Sequence, residues 1–141
     1  MAILALGTEL KRGDGGSPET FTKVPGLISV GGGPLQGQSD EIDVTDHDSP
    51  NGFEEILLGI KRGAEMPVEF NYDPQNALHK GIVDDYINRT ARNWELVLKD
   101  PGASKFTFTA FVKNFPFDAP VEGVYRGTFT LKVSGAVTPP A

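Results

Sequence analysis

Residues 105–133 read KFTFTAFVKNFPFDAPVEGVYRGTFTLKV. Phe106, Phe108, Ala110 and Val112 alternate with Lys105, Thr107 and Thr109. After a stretch punctuated by proline and glycine, Tyr125, Phe129, Leu131 and Val133 alternate with Arg126, Thr128, Thr130 and Lys132. Side chains two apart share one face of an extended chain, so each run has an apolar face and a polar face, as half-buried antiparallel strands do. Outward from this stretch, Met66, Val68, Phe70 and Tyr72 alternate with Pro67, Glu69 and Asn71, and Trp94, Leu96 and Leu98 repeat the pattern. A weaker strand sets Ile42 and Val44 between Glu41, Asp43 and Thr45. Residues 21–30 read as extended but broken at Pro25-Gly26. The expected class is mainly β.

One segment has helical spacing. Leu78, Ile82 and Tyr86 recur at i+4 beside Val83 and Ile87, Asp73 suits an N-cap, and Pro74 suits the first helical position. A helix near residues 74–90 is expected to pack on the sheet. Gly81 inside it costs about 1 kcal/mol relative to alanine, so burial must supply much of its stability.

At 141 residues the chain suits a single domain with its own core, spanning residues 1–141. Thirteen basic residues against nineteen acidic ones give a net charge of −6, which is not the footprint of a protein that grips phosphates tightly. Hydrophobic residues at 38% and charged residues at 23% are globular proportions, and no apolar run reaches the roughly 18 residues of a membrane span. The absence of cysteine excludes disulfides, thiolate catalysis and cysteine-ligated metal. The opening MAILALG lacks a basic region and does not read as a signal peptide, so cytosolic residence is the expectation. The tail after Thr138, Pro139-Pro140-Ala141, cannot continue a strand ladder and is expected to be loose.

Catalytic chemistry has few candidates. His47 and His79 are the only histidines, no G-x-S-x-G occurs, and His79 falls in the expected helix, where packing or surface roles prevail. Asp43, Asp46, His47 and Asp48 could offer oxygens to a hard cation, but the spacing fails the EF-hand pattern. Glu54-Glu55 and Asp84-Asp85 are sequence neighbours that cannot face each other as an acid/base pair, and read as surface charges. GDGG and GGGP lack the lysine and the strand–turn–helix context of a phosphate loop. No catalytic, metal or cofactor-binding residue is assigned, and no cofactor is expected.

One feature does not suit a compact monomer. Residues 46–63, DHDSPNGFEEILLGIKRG, form a long connection containing Phe53, Ile56, Leu57, Leu58 and Ile60. Each would gain about 1.5–3 kcal/mol from full burial. Such a loop either folds back on its own domain or packs on a neighbour, and the same choice faces Ile3, Leu4 and Leu6.

The order of these phrases, GTELKRG, FTKVPGLISVGG, EIDVTDHDSP, the long loop, a strand, one helix and KDPGASKFTFTAFVKNFPFDAPVEGVYRGTFTLKVSG, resembles the major tail tube protein of long-tailed, non-contractile bacteriophages across nearly the whole chain. The resemblance implies an antiparallel β-sandwich with a flanking helix. It implies a structural virion protein without enzyme activity, found in the host cytoplasm before assembly. Its subunits would form hexameric rings stacked as a hollow tube through which DNA passes. Tape-measure, tail-tip and tail-terminator proteins would be its partners, the first setting the length of an otherwise open stack. On this reading Phe53, Ile56, Leu57, Leu58 and Ile60 reach an adjacent subunit or ring, and a carboxylate-bearing lumen lets DNA slide; Glu41, Asp43 and Glu69 are the lumen-facing candidates. Two other readings stay open: the tube of a contractile injection apparatus, and a monomeric binding module for a glycan or protein with Trp94, Tyr72 or Tyr125 as an aromatic platform.

Overall fold

A computed structural model describes residues 2–48 and 50–140; Met1, Ser49 in the long connection and Ala141 at the tail lie outside the described residues. The strands are β1 (Glu9–Gly13), β2 (Phe21–Lys23), β3 (Leu27–Val30), β4 (Ser39–Asp43), β5 (Ile56–Lys61), β6 (Glu65–Asn71), β7 (Arg92–Val97), β8 (Lys105–Asn114), β9 (Phe117–Asp118) and β10 (Arg126–Val133), with one helix, α1 (Ala77–Asn88), between β6 and β7. Eight strands make one antiparallel sheet in the order β2-β1-β7-β8-β10-β6-β3, with β9 also on β10; β4 and β5 form a separate two-stranded sheet.

The two ends of the large sheet are halves of one segment. β2 pairs with β1, β3 pairs with β6, and only Val24, Pro25 and Gly26 separate them. The sheet therefore rolls until its first and last strands meet at this corner, where Val24 N–H donates to Leu10 O (2.8 Å) and Asn71 N–H to Gly26 O (2.9 Å). Gly26 holds φ +76°, a conformation that costs a side-chain-bearing residue free energy. The expected break at Pro25-Gly26 is thus the corner that joins the two edge strands of the sheet.

The alternating runs become β6, β7, β8 and β10, and their apolar faces meet in the interior. Met66, Val68, Phe70, Trp94, Phe129 and Leu131 are fully buried. Phe70 is central, with ring centroids of His79 at 4.7 Å, Phe129 at 5.4 Å, Phe115 at 5.6 Å and Tyr72 at 6.0 Å. Its ring occupies the space above Gly127, where a Cβ would lie 2.9 Å from it. Tyr125, grouped by alternation with the inward residues of β10, instead precedes the strand and is half exposed, because Gly127 rather than an apolar side chain holds the first inward position.

The helix starts later than Asp73. Asp73 Oδ1 accepts Gln75 N–H (3.0 Å) and its carbonyl accepts Asn76 N–H (3.0 Å), forming a turn around Pro74. Asn76 is the N-cap, its side-chain oxygen accepting from Leu78 N–H (2.9 Å) and His79 N–H (3.3 Å). At the other end Arg89 adopts φ 54°, and the Arg89 and Thr90 N–H groups both donate to Asp85 O. The buried stripe is His79, Ile82 and Asp85, rotated from the expected Leu78–Ile82–Tyr86 face, so Tyr86 and Ile87 point outward.

Two polar residues define that stripe. His79 Nδ1 accepts Asp73 N–H (3.1 Å) and Nε2 lies 2.9 Å from Pro25 O, an arrangement that places the proton on Nε2 and ties the helix to the corner. Asp85, far from being a surface charge, is 2% exposed and accepts from Arg12 Nε (2.7 Å), Arg12 Nη2 (2.9 Å) and Arg92 Nε (3.1 Å). Gly81 is explained by this contact, since a Cβ there would lie 2.9 Å from Arg12 Nη1.

Candidate assembly surface

The β4–β5 pair projects from the body as an arm. Glu41 pairs with Leu58, Ile42 with Leu57 and Asp43 with Ile56, so directly opposed residues share a face. Ile56 and Leu58 therefore lie on the face of Glu41 and Asp43, while Ile42 and Leu57 lie on the other; Ile60 follows a bulge past which Ser39 pairs with Lys61. None of these is covered: Leu57 is 58%, Leu58 68%, Ile60 66% and Phe53 71% exposed. An isolated two-stranded hairpin is marginal in water, and one that is apolar on both faces needs cover on both.

The arm is nevertheless well formed at both ends. At the tip, Val44 N–H donates to Glu55 O (2.9 Å), Glu55 N–H to Thr45 Oγ1 (2.7 Å) and Phe53 N–H to Pro50 O (3.1 Å), while Asn51 and Gly52 take the left-handed φ values of 54° and 73° that turn the chain. At the root, Arg62 N–H donates to Gln38 O (2.7 Å), Arg62 Nη2 meets Asp40 Oδ2 at 2.7 Å, Lys132 Nζ donates to Gly63 O (3.0 Å), and Gln36 Nε2 donates to Glu65 O. A Cβ on Gly63 would overlap the Val133 carbonyl oxygen, which itself cannot move without shifting β10. Gly63→Ala is expected to loosen the root, seen as faster proteolysis between residues 37 and 63 while the aromatic near-ultraviolet signal of the body is kept; unchanged proteolysis would show that the root is not fixed there.

Charge is strongly segregated. Residues 39–61 contain seven carboxylates and one lysine, so the rest of the chain holds twelve carboxylates against twelve basic residues and is neutral. The net charge of −6 thus resides in the arm. The structure brings Glu41 and Asp43 together on one face of the arm, and Thr45 N–H, donating to Asp43 Oδ1 at 2.9 Å, holds that carboxyl below its usual range. Glu69 sits apart on β6, 3.5 Å from Arg126 Nη1. Neighbouring strands carry Lys113–Glu65 (2.6 Å) and Lys132–Glu65 (3.9 Å), so this outer sheet face is a lattice of ion pairs.

Of the possible aromatic platform, Trp94 is fully buried and Tyr72 partly so, which leaves only Tyr125 accessible. His47 is exposed between β4 and β5, whereas His79 is buried in α1. A second apolar surface, not legible from alternation, lies at the opposite end of β6 from the arm root: Val121, Val124, Tyr125 and Phe117 are exposed there, next to a groove lined by Asn71 and Tyr72. Its signal is two valines in a proline- and glycine-rich turn, which carries no periodicity.

An antiparallel sheet rolled until its end strands meet at one corner, with an apolar arm beside it exposed on both faces, offers a surface for association. The sequence profile described as phage tail tube protein matches residues 9–139, and the chain belongs to that family, which is structural rather than enzymatic. No curated protein matches the sequence significantly. Among solved structures, the chain is similar to a chain from the tail of an empty gene transfer agent particle, resolved with C6 symmetry, at 14% identity and TM-score 0.78 over 99% of this chain and 100% of that one. It is similar to the SPP1 tail tube at 18% identity and TM-score 0.73, over 99% of this chain and 80% of that one. A third likeness is to a sheath/tube terminator structure of an extracellular contractile injection system, at 15% identity and TM-score 0.71 over 100% of this chain and 98% of that one. At these identities the likeness is one of fold.

Proposed function

We propose that this chain forms hexameric rings that stack into the tube of a phage tail, with DNA passing through the bore and tape-measure, tip and terminator proteins as partners. The observation that carries this reading is the arm: two ordered strands, apolar on both faces, exposed in the isolated subunit. Burial of Phe53, Ile56, Leu57, Leu58 and Ile60 against neighbouring subunits would contribute about 1.5–3 kcal/mol per side chain before ordering costs are subtracted. A contact in which an arm at one place meets a different surface on the next copy is heterologous, and such contacts propagate into an open stack. Glu41, Asp43 and Glu69 remain the proposed lumen residues. Glu69 is partly neutralised by Arg126, and Glu41 and Asp43 share the arm face of Ile56 and Leu58, so these two would repel DNA from the margin of that buried patch.

The test is electron microscopy and light scattering of the purified protein beside the Phe53→Asp/Leu57→Asp variant. Wild type is expected to give rings or tubes with a central channel, and the variant a folded monomer with at least a hundredfold weaker association, as two buried apolar anchors become charged. Tubes as abundant as wild type from the variant would remove the arm from the interface. The structural similarity to chains from a sheath/tube terminator and a sheath-tube complex of a contractile injection system supports a second reading, in which the tube works inside a sheath; a sheath co-purifying with the tail would decide for it.

A further inference from the structure

We propose that the acidic arm of one copy docks in a lysine-flanked groove at the opposite end of a second copy. This rests on the arm being an inter-subunit contact and adds the surface that receives it. The groove, of about 340 Å³, is lined by Lys23, Val24, Gly26, Leu27 and Lys99 at the corner where the sheet closes.

Three observations select this surface. The first is charge. Among the described residues Glu54 and Glu55 meet no cation, while most basic residues of the body are already paired: Lys11 with Glu9, Arg12 and Arg92 with Asp85, Lys105 with Glu95, Lys113 and Lys132 with Glu65, Arg126 with Glu69. Lys23 and Lys99 have no such partner among the described residues and flank one concavity. Glu9 also lines it, but its carboxylate lies 4.0 Å from Lys11. The other unpaired cations do not converge on a groove: Lys61 is on the arm itself, and Lys80 and Arg89 stand near opposite ends of α1.

The second observation is an apolar margin. Val24 is buried behind the groove, Leu27 lines it half-buried, and the exposed Leu6 and Ile28 adjoin the lining residues Gly7 and Leu27 in sequence, so apolar side chains stand beside the lysines for Phe53 and Leu57 to meet. The third is direction. The arm leaves the body at the Glu65 end of β6, whereas Gly26 is bonded to Asn71 at the other end of that strand. An arm-to-groove contact is therefore head to tail, the geometry that stacks copies without closing.

Self-association midpoints of four proteins, measured by sedimentation at low and high salt, test the docking: wild type, Lys23→Glu/Lys99→Glu, Glu54→Lys/Glu55→Lys, and the combination of both pairs. Each double variant is expected to weaken association at least tenfold, the combination to recover to within a few-fold of wild type, and added salt to weaken wild type more than either double variant. Lys80→Glu/Arg89→Glu, with the same change in net charge, is expected to leave association unchanged. Wild-type association in Lys23→Glu/Lys99→Glu, or no recovery in the combination, overturns the groove as the receptor. If Phe53→Asp/Leu57→Asp still abolishes assembly in that case, the arm remains adhesive and only its receptor is wrong. Assembly surviving the apolar arm changes, or wild type remaining monomeric at the highest attainable concentration, overturns the arm contact and this docking with it.

Discussion

Asp85→Ala is expected to destabilise the fold by about 3–5 kcal/mol, because it strips a buried carboxylate from two arginines that stay behind. Arg12 is only 12% exposed at its side chain and donates twice to Asp85, and Arg92 adds a third bond at 3.1 Å. Without Asp85, the Arg12 guanidinium keeps only a 3.4 Å contact from Nη2 to Gly81 O. Arg92 retains a bond to Asp14 O at 2.9 Å and 27% side-chain exposure, so it suffers less. For a domain of this size the loss corresponds to a fall in Tm of about 10–15 °C by calorimetry. Asp85→Asn, which keeps the shape and one acceptor oxygen, should fall between. A Tm within a few degrees of wild type for Asp85→Ala would mean that water replaces the carboxylate and that the helix is held by Ile82 and His79 alone. The cluster joins α1, β1 and β7, so its loss is also expected to raise hydrogen exchange in α1 ahead of the rest of the core.

Phe70→Ala should cost about 3–5 kcal/mol by a different route. Its ring is fully buried and contacts four other rings, including His79, and it fills the space that Gly127 leaves open on β10. Relaxation into the hole is restricted, since Phe115 and Phe129 are held by the paired strands on either side of the break at Pro116. Phe70→Leu, which removes less volume, is expected to lose less than half as much, and the ratio of the two Tm shifts tests whether the cost is a cavity. Equal losses would point instead to the ring–ring geometry. Neither change touches the arm, so assembly measured at a temperature where the variants are still folded should stay close to wild type.

The legible part of the fold is the part in which one rule governs each residue. In β6, β7, β8 and β10 every inward position but Gly127 carries an apolar side chain or Arg92, and period-two alternation follows directly from the pleat. β1 escapes that reading because its inward residues are Leu10 and Arg12, and an arginine is read as surface until its buried partner is known. β5 escapes because ILLGIK is apolar on both faces, which gives no alternation at all. Asp85 and His79 were each legible as helix residues, yet their burial depends on where β1, β7 and the Pro25 carbonyl lie after folding. The N-cap moved from Asp73 to Asn76 for a local reason: both residues are good caps, and Pro74 favours the turn that consumes the first.

The β class, the single helix, the break at Pro25-Gly26 and the concentration of large apolar residues in the long connection could all be read from the sequence, because they rest on short-range periodicity or composition. Only the packed chain shows that this corner joins the two edges of the sheet, that one carboxylate binds two arginines, and that the connection is a paired arm. It also placed the unpaired lysines at the far end of the strand from which that arm departs. Each of these joins residues tens of positions apart, and such pairings are set by which buried groups find partners when the whole chain packs, a condition that no local window of sequence contains.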